Sequence, residues 1–432
     1  MKRTLAGKVS AKLDGKEVFL QGWVQDIRNL GKVKFLVLKD YSGSVQVVAL
    51  KDLDAGVLEG IAQLTPQSVI EVEGRVKKST VAKRGFEVVM KNYHVVSEAG
   101  APLPIEIRED TTTGMDKRID WRVLDLRRDS VSAIFKIQAA IAQAFREFFV
   151  ERNFIEIQPP SIIGEASEGG TDVFPVAYFE KRAFLAQSPQ LYKQMCVVSG
   201  LERVFSFMPV FRAEKHHTVK HLNEIRQMDM EAGFCDNKGA LVYLEECFVH
   251  IIRKVAEKHR EELGILGVTL KVPKLPFKRL TYKECIELLR KNGSPILYGY
   301  DFDAENEKKL CELVGLDVPF FILDWPTEMK PFYALPYEDN PQLTKSYDLM
   351  YGGIEISSGA QRIHLPELLE KQIIAKDLNP NDFKAYIDAF RYGACPHAGW
   401  SLGLERVTMV LTQQKNIREC CLFPRDRERL TP

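Results

Sequence analysis

Basic and acidic side chains gather between two apolar runs in the stretch from Val204 to Phe234. The alternation of apolar residues on both sides predicts two strands joined by a charged loop. Arg212 follows the first run, and Glu214 comes two residues later. A guanidinium fork matches phosphate oxygens and a carboxylate can accept from an exocyclic amine, so the pattern suits a nucleotide. A solvated hairpin with surface charges fits the same spacing, because short motifs have a real false-positive rate.

A pair of carboxylates is the second candidate for chemistry. Asp348 and Glu355 are seven positions apart with turn residues between them, so two neighbouring strands could bring both acids to one Mg²⁺. Mg²⁺ favours such a site, because it takes a few carboxylates and completes its octahedron with phosphate and water. As isolated residues, however, two acids at this spacing are far more often surface acids.

Composition limits the classes of protein to which the chain can belong. Its 432 residues are enough for two or three domains, and two are expected. The formal net charge is only +1, from 60 basic and 59 acidic residues, so contacts with nucleic acid must come from local patches. Eight cysteines without CxxC pairs predict reduced thiols in a cytosolic protein. With no apolar leader and no run of about 18 apolar residues, the chain is expected to be untargeted and not to span a membrane.

The elements that must position these residues fall into two groups. Five short alternating runs between residues 16 and 96 predict a small antiparallel barrel of the oligonucleotide-binding type, although a barrel without a ligand fits as well. After a proline-bearing, charged stretch, the spacing from Ser130 to Asn153 predicts a helix capped by Ser130 or Asp129. An α/β insertion is expected over about 236–345. Its predicted elements are helices over 240–262, 282–292 and 304–313 and a strand over 318–325.

Three stretches resemble the signature motifs of the class II aminoacyl-tRNA synthetases. FRAE at 211–214, followed by HLNE and DxE, is similar to motif 2 of the subclass that activates Asp, Asn and Lys. NFIEIQPPSII at 153–163 is similar to motif 1, and HAGWSLGLERVTMVL at 397–411 to motif 3. AQSPQLYKQ at 186–194 and EISSGAQRIH at 355–364 also match, in family order. Over essentially its whole length the chain resembles the aspartyl enzymes of archaeal and eukaryotic cytoplasmic type.

The resemblance implies an α+β protein of two domains joined by a hinge over 103–129. A five-stranded OB-type barrel over 1–102 would bind the anticodon, and a domain over 130–432, with an antiparallel sheet flanked by helices, would carry catalysis. The implied activity is ATP- and Mg²⁺-dependent activation of L-aspartate and transfer to the 3′-hydroxyl of tRNA(Asp), with tRNA(Asn) open as a second acceptor. The implied state is a cytoplasmic homodimer, with no membrane partner and with Pro160 at the dimer interface.

The resemblance also assigns roles to individual residues of the catalytic domain. The implied catalytic residues are Arg212 and Arg406. Aspartate would be bound by Glu168, Gln190, Lys193, Arg212, Asp229, Ser358 and Arg362. ATP would be bound by Arg212, Glu214, His221, Leu222, Glu355, Gly403 and Arg406. Mg²⁺ would be bound by Asp348, Glu355 and Ser358.

Five residues of the barrel are implied in tRNA recognition. Phe35 would stack on an anticodon base, while Gln46 and Glu87 would read base edges, as proteins that bind unpaired RNA bases do. Gln25 and Lys83 stand where family members discriminate tRNA(Asp) from tRNA(Asn). The pair fits neither the strict nor the relaxed pattern, with a lean towards the relaxed one.

Two positions depart from the family, and several alternatives stay open. Ser401 replaces a common glycine close to where ribose and adenine are expected, and Ile225 replaces a Phe that stacks on adenine in some members. An asparaginyl or lysyl enzyme is one alternative, against which Lys193 and Arg362 argue, because both would face the aspartate carboxylate. A catalytically inactive tRNA-binding paralogue would be expected to lack Arg212, Glu355 or Arg406, and an amide-forming paralogue to lack the barrel.

Overall fold

The structure is a computed structural model, and it describes residues 2–31, 33–80, 82–164, 172–214 and 218–432. The chain divides into two compact units, Met1–Glu106 and Ile107–Pro432. Within the described residues, no helix combines the length and the apolar character that a membrane crossing requires.

The first unit is a closed barrel with strand order β1-β2-β3-β5-β4. Its elements are β1 Glu17–Leu30, β2 Val33–Asp40, β3 Gly43–Ala49, helix α1 Ala55–Gln63, β4 Val69–Lys78 and β5 Phe86–Ser97. The alternation is that of a strand with one face turned inward, because every second residue of β2 is buried and two of them, Leu36 and Leu38, belong to the barrel core. The expected five-stranded barrel is confirmed.

The second unit is built on an eight-stranded sheet with the order β12-β13-β14-β15-β16-β11-β10-β6. Most neighbouring strands are antiparallel, whereas β6 runs parallel to β10 and β12 parallel to β13. The strands of this sheet are β6 Ile155–Glu156, β10 Arg203–Phe211, β11 Glu224–Gly233, β12 Lys278–Thr281, β13 Phe320–Leu323, β14 Ser346–Tyr351, β15 Ile354–Gln361 and β16 His397–Gly403. A separate small sheet contains β7 Ile162–Ile163, β8 Pro175–Tyr178 and β9 Lys181–Leu185.

Helices pack against this sheet. Those of the second unit are α2 Met115–Asp120, α3 Arg122–Asp125, α4 Asp129–Val150, α5 Gln190–Cys196, α6 Asn237–Lys258, α7 Arg260–Leu266, α8 Tyr282–Lys291, α9 Ala304–Val314, α10 Pro366–Ala375, α11 Lys384–Arg391 and α12 Leu404–Leu411. One face of the sheet is covered by α4, α6 and α12, whose apolar side chains share one core cluster with β10, β11 and β16. Within it Phe149 stacks on Phe205 at 5.6 Å between ring centroids.

Helix α4 begins one residue earlier than predicted. Its N-cap is Arg128, which makes no side-chain capping bond, so the predicted caps Ser130 and Asp129 are wrong. Asp129 lies inside the helix, and the Ser130 hydroxyl donates instead to Glu109 Oε2 at 2.6 Å.

The segment predicted as a hinge, 103–129, contains the two short helices α2 and α3. The Arg122 side chain on α3 is 1% exposed and donates to Asp125 and to the carbonyl oxygens of Arg418, Cys421 and Leu422. Five donors in a rigid fork can satisfy several acceptors at once, so this part of the segment is built into the second unit.

Candidate active site

A cavity of about 310 Å³ opens on the face of the sheet opposite helices α4 and α6. Alternate residues of β11 and β16, among them Asp229 and Ser401, line it, while the intervening Met230 and Trp400 lie in the core. The two-residue period of a strand therefore separates the reactive face from the packed face.

Four neighbouring strands align one polar row across the cavity floor. Asp229 is opposite Ser401, Ser401 is opposite Ser358, and Ser358 is opposite Asp348. Adjacent strands lie about 4.8 Å apart, so this row holds groups at fixed spacings on rigid backbone.

A β-bulge in β15 brings two predicted site residues to the same face. The pairing of β14 with β15 shifts between Leu349 and Met350, so that Ile356 is an extra residue in β15. Glu355 and Ser358 are three positions apart and would face opposite sides of a regular strand. With the bulge, both line the cavity.

One end of the cavity holds four charged groups in contact. Lys193 Nζ lies 2.9 Å from Asp229 Oδ1 and 3.4 Å from Glu231 Oε2. Arg362 donates from Nε and Nη2 to Glu231 at 2.9 and 3.2 Å. All four side chains are at most 4% exposed. Gly399 makes room for the cluster, because a Cβ there would lie 2.2 Å from Glu231 Oε2.

Glu231 is a site residue to which the sequence assigned no role. The signal was present, since Glu231 follows Asp229 by two positions and therefore shares its face of β11. Arg362 donates from Nε and Nη2 to Glu231, and the described residues provide no partner for Nη1. Of its donor nitrogens, Nη1 is therefore the one left for a ligand. The fork of Arg362 onto a substrate carboxylate stays a prediction.

Burial and charge act in opposite directions on the two acids of this cluster. Burial raises the pKa of Asp229, and Lys193 opposes that rise only in part. Burial also acts to raise the pKa of Glu231, but Arg362 and Lys193 outweigh it and hold that pKa below its usual value. Glu231 is thus the firmly ionised partner of two cations, and Asp229 is the acid that takes a proton more readily.

Gln190 begins helix α5, lines the cavity and is 5% exposed. Its Nε2 donates to Gln194 Oε1 at 2.8 Å, and Gln194 Nε2 lies 2.9 Å from His397 Nε2. This buried chain of amides fixes the first turn of α5 and hence the position of Lys193. Glu168, the predicted ligand of the substrate ammonium group, lies outside the described residues.

Arg406 and His221 occupy the other end of the cavity. Arg406 Nη1 donates to the Glu355 carbonyl oxygen at 3.0 Å, and Nη2 lies 3.3 Å from His221 Nε2. Because a guanidinium only donates, His221 Nε2 must accept, and Nδ1–H donates to Thr218 Oγ1 at 2.6 Å. Burial and the charges of Arg406, Arg212 and Lys220 lower the pKa of His221 to about 4. His221 is therefore a neutral ring at physiological pH.

The remaining residues predicted to bind ATP surround this end. Arg212, Glu214, Leu222 and Gly403 all line the cavity. Leu222 also belongs to the core cluster, and Gly403 immediately precedes α12.

Asn223, which the sequence did not single out, orders this part of the chain. Asn223 Nδ2 donates to the carbonyl oxygens of Arg212 at 2.7 Å and Glu214 at 3.2 Å.

The residues predicted to hold Mg²⁺ lie on one face but differ in access. Glu355 and Ser358 line the cavity, whereas Asp348 is 3% exposed and pairs with Lys330 at 2.7 Å. The described residues contain no group of three or more His, Cys, Asp or Glu side chains placed to hold a metal. A metal here would therefore depend on two carboxylates, a hydroxyl and oxygens from a ligand, which are donors that suit Mg²⁺. Asp348 Oδ1 is buried without a hydrogen-bond partner among the described residues.

The two departures from the family pattern both lie at the cavity. Ser401 lies opposite Asp229 and Ser358, which places it beside the charged cluster, and its expected position near ribose and adenine stays a prediction. Ile225 lines the cavity. At Gly359 a Cβ would meet the Tyr347 ring at 2.5 Å and Trp400 at 2.7 Å, so close packing beneath the sheet requires a glycine there.

The barrel places its three predicted base-reading residues on one outer face. Phe35, Gln46 and Glu87 lie on adjacent strands β2, β3 and β5; Gln46 and Glu87 each lie between two residues of the barrel core, and Phe35 lies next to Leu36 of that core. Gln46 Nε2 donates to Glu87 Oε2 at 2.9 Å. Gln25 is the extra residue of a bulge in β1, and Lys83 is exposed between β4 and β5.

Pro160, predicted at a dimer interface, is exposed in the segment that follows β6. An exposed proline beyond a two-residue edge strand leaves that edge available to a second chain, but the contact itself stays a prediction.

Comparison with known proteins agrees with this architecture. Residues 114–427 match the family model described as tRNA synthetases class II (D, K and N), and residues 18–96 match the OB-fold nucleic acid binding domain. The chain is 46% identical to an aspartate–tRNA(Asp/Asn) ligase of Archaeoglobus fulgidus, with all of both chains covered. It is also 46% identical to the ligase of the same name from Methanocaldococcus jannaschii, covering 98% of this chain and 97% of that one.

Solved structures show the same fold. The asparaginyl-tRNA synthetase of Pyrococcus horikoshii in complex with asparaginyl-adenylate superposes with a TM-score of 0.95 at 32% identity, with all of both chains covered. The aspartyl-tRNA synthetase of Entamoeba histolytica gives a TM-score of 0.90 at 33% identity, covering 100% of this chain and 93% of that one. Since the class II model matches well over half of the sequence, the chain belongs to the class II tRNA synthetases of the aspartate, lysine and asparagine group.

Proposed function

We propose that this chain is an aspartate–tRNA ligase, which activates L-aspartate with ATP and transfers the aspartyl group to the 3′-hydroxyl of tRNA(Asp). The observation that carries the proposal is the convergence of Lys193 and Arg362, both buried, at one end of the cavity. The names of relatives at 46% identity over the full chain support it.

The charge balance of this end favours a carboxylate over an amide. Lys193 and Arg362 face one firmly ionised acid, Glu231, and one acid whose pKa is raised by burial, Asp229. A substrate carboxylate offers two acceptor oxygens to Lys193 and Arg362, which only donate, whereas the amide of asparagine offers one oxygen and places an NH₂ donor against a donor. Leaving such a group unpaired costs about 1–3 kcal/mol or more.

The opposite end supplies what a triphosphate needs. Arg212 and Arg406 can stabilise charge on the transferring α-phosphoryl group and on the leaving pyrophosphate, while neutral His221 fixes the Arg406 guanidinium without adding charge. The aspartate α-carboxylate attacks the α-phosphorus in line and pyrophosphate leaves. Positioning and electrostatic stabilisation carry this step, so no protein nucleophile or dedicated base is required.

Mg²⁺ is the metal that the site suits. Glu355, Ser358 and Asp348 share one face of the β14–β15 hairpin, and hard oxygen donors of this kind fit Mg²⁺. When bound, the ion would neutralise phosphate charge beside Arg406.

The barrel would bind the anticodon loop through Phe35, Gln46 and Glu87. Gln46 and Glu87 satisfy each other in the unbound protein and would exchange that bond for base edges. Because both relatives bear the Asp/Asn name, we propose that tRNA(Asn) is charged as well. We further propose a homodimer with Pro160 at its interface, working in the cytoplasm, where protein synthesis takes place.

An asparaginyl enzyme is the second candidate, and the TM-score of 0.95 to such a structure favours it. The decisive experiment is charging of tRNA(Asp) and tRNA(Asn) transcripts with labelled aspartate and, in parallel, labelled asparagine. Aspartate on both tRNAs is the expected result, while aspartate on tRNA(Asp) alone would limit the proposal to a strict enzyme. Charging with asparagine, or no charging at all, would refute the proposal.

Two variants test whether Lys193 is responsible for the choice of aspartate. Lys193→Met should lower kcat/KM for aspartate at least a hundredfold in ATP–pyrophosphate exchange, because it removes a buried cation from the cavity. Lys181→Met, at an exposed lysine on β9, is the matched control and should behave as wild type. An equal loss in both variants would show that Lys193 has no special role.

A further inference from the structure

Gln227 lies on the cavity floor between the two charged ends, and the sequence assigned it no role. It stands on β11 with Ile225 and Asp229, and all three line the cavity, because alternate residues of a strand share one face. Asp229, which pairs with Lys193 at one end of the cavity, is two residues and hence about 7 Å away along the strand. Gln227 is therefore a neutral amide placed between acids and cations.

The Gln227 side chain has no polar neighbour directly across either adjacent strand. Its partner on β10 is Met208, which belongs to an apolar cluster, and its partner on β16 is Gly403. Gln227 is 7% exposed, and within the part of the chain that the structure describes its Oε1 has no hydrogen-bond partner. Buried polar atoms are nearly always hydrogen-bonded, so an unpaired amide at a cavity indicates a partner that a ligand supplies.

Gly403 leaves room for such a ligand beside Gln227. A Cβ added at Gly403 would meet nothing nearer than the Arg406 side chain, at 3.7 Å. The space above Gly403 is thus bounded by the amide of Gln227 on one side and by the aliphatic stem of Arg406 on the other. A flat group of a ligand can enter it without displacing the sheet.

The order of groups in an aminoacyl-adenylate identifies the part of the ligand that reaches Gln227. Amino acid, phosphate, ribose and adenine follow one another, so a ligand that extends from the charged cluster to the other end places its phosphate and ribose over the middle of the floor. Phosphate oxygens only accept hydrogen bonds and cannot satisfy Oε1. A ribose hydroxyl donates and accepts, so it pairs with the amide whichever of its two polar atoms is turned towards the cavity.

We propose that Gln227 hydrogen-bonds a ribose hydroxyl of the nucleotide and thereby selects ATP over its deoxy analogues. Arg212 and Arg406 stabilise the phosphates, whereas Gln227 adds no charge and determines specificity only. An analogue without the hydroxyl leaves the buried amide unpaired, which is the costly outcome for a polar group. This inference rests on the proposed ATP-dependent function.

The first test compares ATP, 2′-deoxy-ATP and 3′-deoxy-ATP in aspartate-dependent ATP–pyrophosphate exchange by the full-length protein. In the wild-type protein kcat/KM should fall at least tenfold with one of the two deoxy analogues. With Gln227→Met the same analogue should lose less than threefold relative to ATP, and Gln227→Ser, which adds no bulk, should behave alike. Gln143→Met, at an exposed glutamine on α4, is the matched control and should discriminate as the wild-type protein does.

Two results would overturn the inference. One is an unchanged discrimination between ATP and both deoxy analogues when Gln227 is replaced. The other is a loss of discrimination against purine riboside triphosphate, which lacks the adenine amino group, because Gln227 would then contact the base. Absence of exchange with ATP itself in the wild-type protein would refute the proposed function and this inference with it.

The second test needs no nucleotide and therefore stands apart from the proposed function. Methionine has nearly the length of glutamine and no group that needs a hydrogen bond, so Gln227→Met should raise the urea midpoint of the ligand-free protein. A lower midpoint in Gln227→Met, with the Gln143→Met midpoint equal to that of wild type, would show that the amide stabilises the fold and would overturn the inference.

Discussion

Substituting Gly399 with alanine tests how the charged cluster is built, because the change adds one methyl group and no charge. A Cβ at Gly399 would lie 2.2 Å from Glu231 Oε2 and 2.2 Å from the Met230 carbonyl oxygen, while ordinary contact begins at 3.4 Å. Relieving both contacts requires β16 to shift away from the β11 backbone and the Glu231 carboxylate to move. It cannot move without breaking its bonds to Arg362 and Lys193.

Overpacking of this kind costs about 1–3 kcal/mol, and each lost charge-assisted hydrogen bond about 1.5–3 kcal/mol. We therefore expect Gly399→Ala to lower the free energy of unfolding by roughly 3–5 kcal/mol in urea titrations. The KM for aspartate in ATP–pyrophosphate exchange should rise about tenfold to a hundredfold, equivalent to about 1.4–2.8 kcal/mol, with the KM for ATP little changed.

Gly264→Ala is the matched control for this substitution. Gly264 is exposed on α7 with nothing within 4 Å of an added Cβ, so alanine there should be neutral or stabilise the helix by up to about 1 kcal/mol. Equal stability and equal aspartate KM in the two variants would refute the view that Glu231 must stay in place to orient Arg362.

Three further predictions follow from pKa values and from the barrel. Burial and the nearby Arg406 lower the pKa of His221 to about 4. The stabilisation that neutral His221 provides should therefore be present above pH 6.5 and lost as the pH falls towards 4. His221→Asn should flatten this part of the curve of unfolding free energy against pH. Burial raises the pKa of Glu405 to about 7, so its stabilising effect is full below pH 4.5 and lost towards pH 7. Glu405→Gln should accordingly match wild type in urea titrations at pH 4.5 and be more stable at pH 8, by up to about 3 kcal/mol. Phe35→Ala should raise the KM for tRNA by about tenfold to a hundredfold, as loss of about 1–3 kcal/mol of base stacking implies, and leave ATP–pyrophosphate exchange unchanged.

Elements that are determined by short-range sequence patterns could be predicted from the sequence alone. The hairpin of β10 and β11 follows from alternation between Val204 and Phe234, and the five barrel strands occupy the stretch of about 16–96 in which five were predicted. The start of α4 was missed because Arg128 caps it without a side-chain bond, so the usual cap residues, Ser130 and Asp129, were misleading. Cap identity is a weak signal when tertiary contacts, here with Glu109, compete for the hydroxyl.

The contacts inside the site needed the folded chain. Arg362 and Glu231 are 131 positions apart, and Lys330 meets Asp348 only because β14 passes beside the segment that follows β13. The bulge at Ile356 was equally invisible, since a one-residue shift leaves no mark in the spacing of Glu355 and Ser358. Residue types predicted the chemistry, but pairing decides which charges are already neutralised and which are left for a ligand.

The difference between charges that are already neutralised and charges left for a ligand decides how the site can select its substrate. The polar row of the cavity floor stands on neighbouring strands of one sheet, from Asp229 through Ser401 and Ser358 to Asp348, so the separation of these groups is fixed before anything binds. Preorganised dipoles and charges need little rearrangement when charge develops on the transferring group. Selection between carboxylate and amide must then come from the charge left over in the cluster and not from movement of the sheet. Because Glu231 holds Arg362 and shares Lys193 with Asp229, the balance between these two acids and two cations sets that surplus.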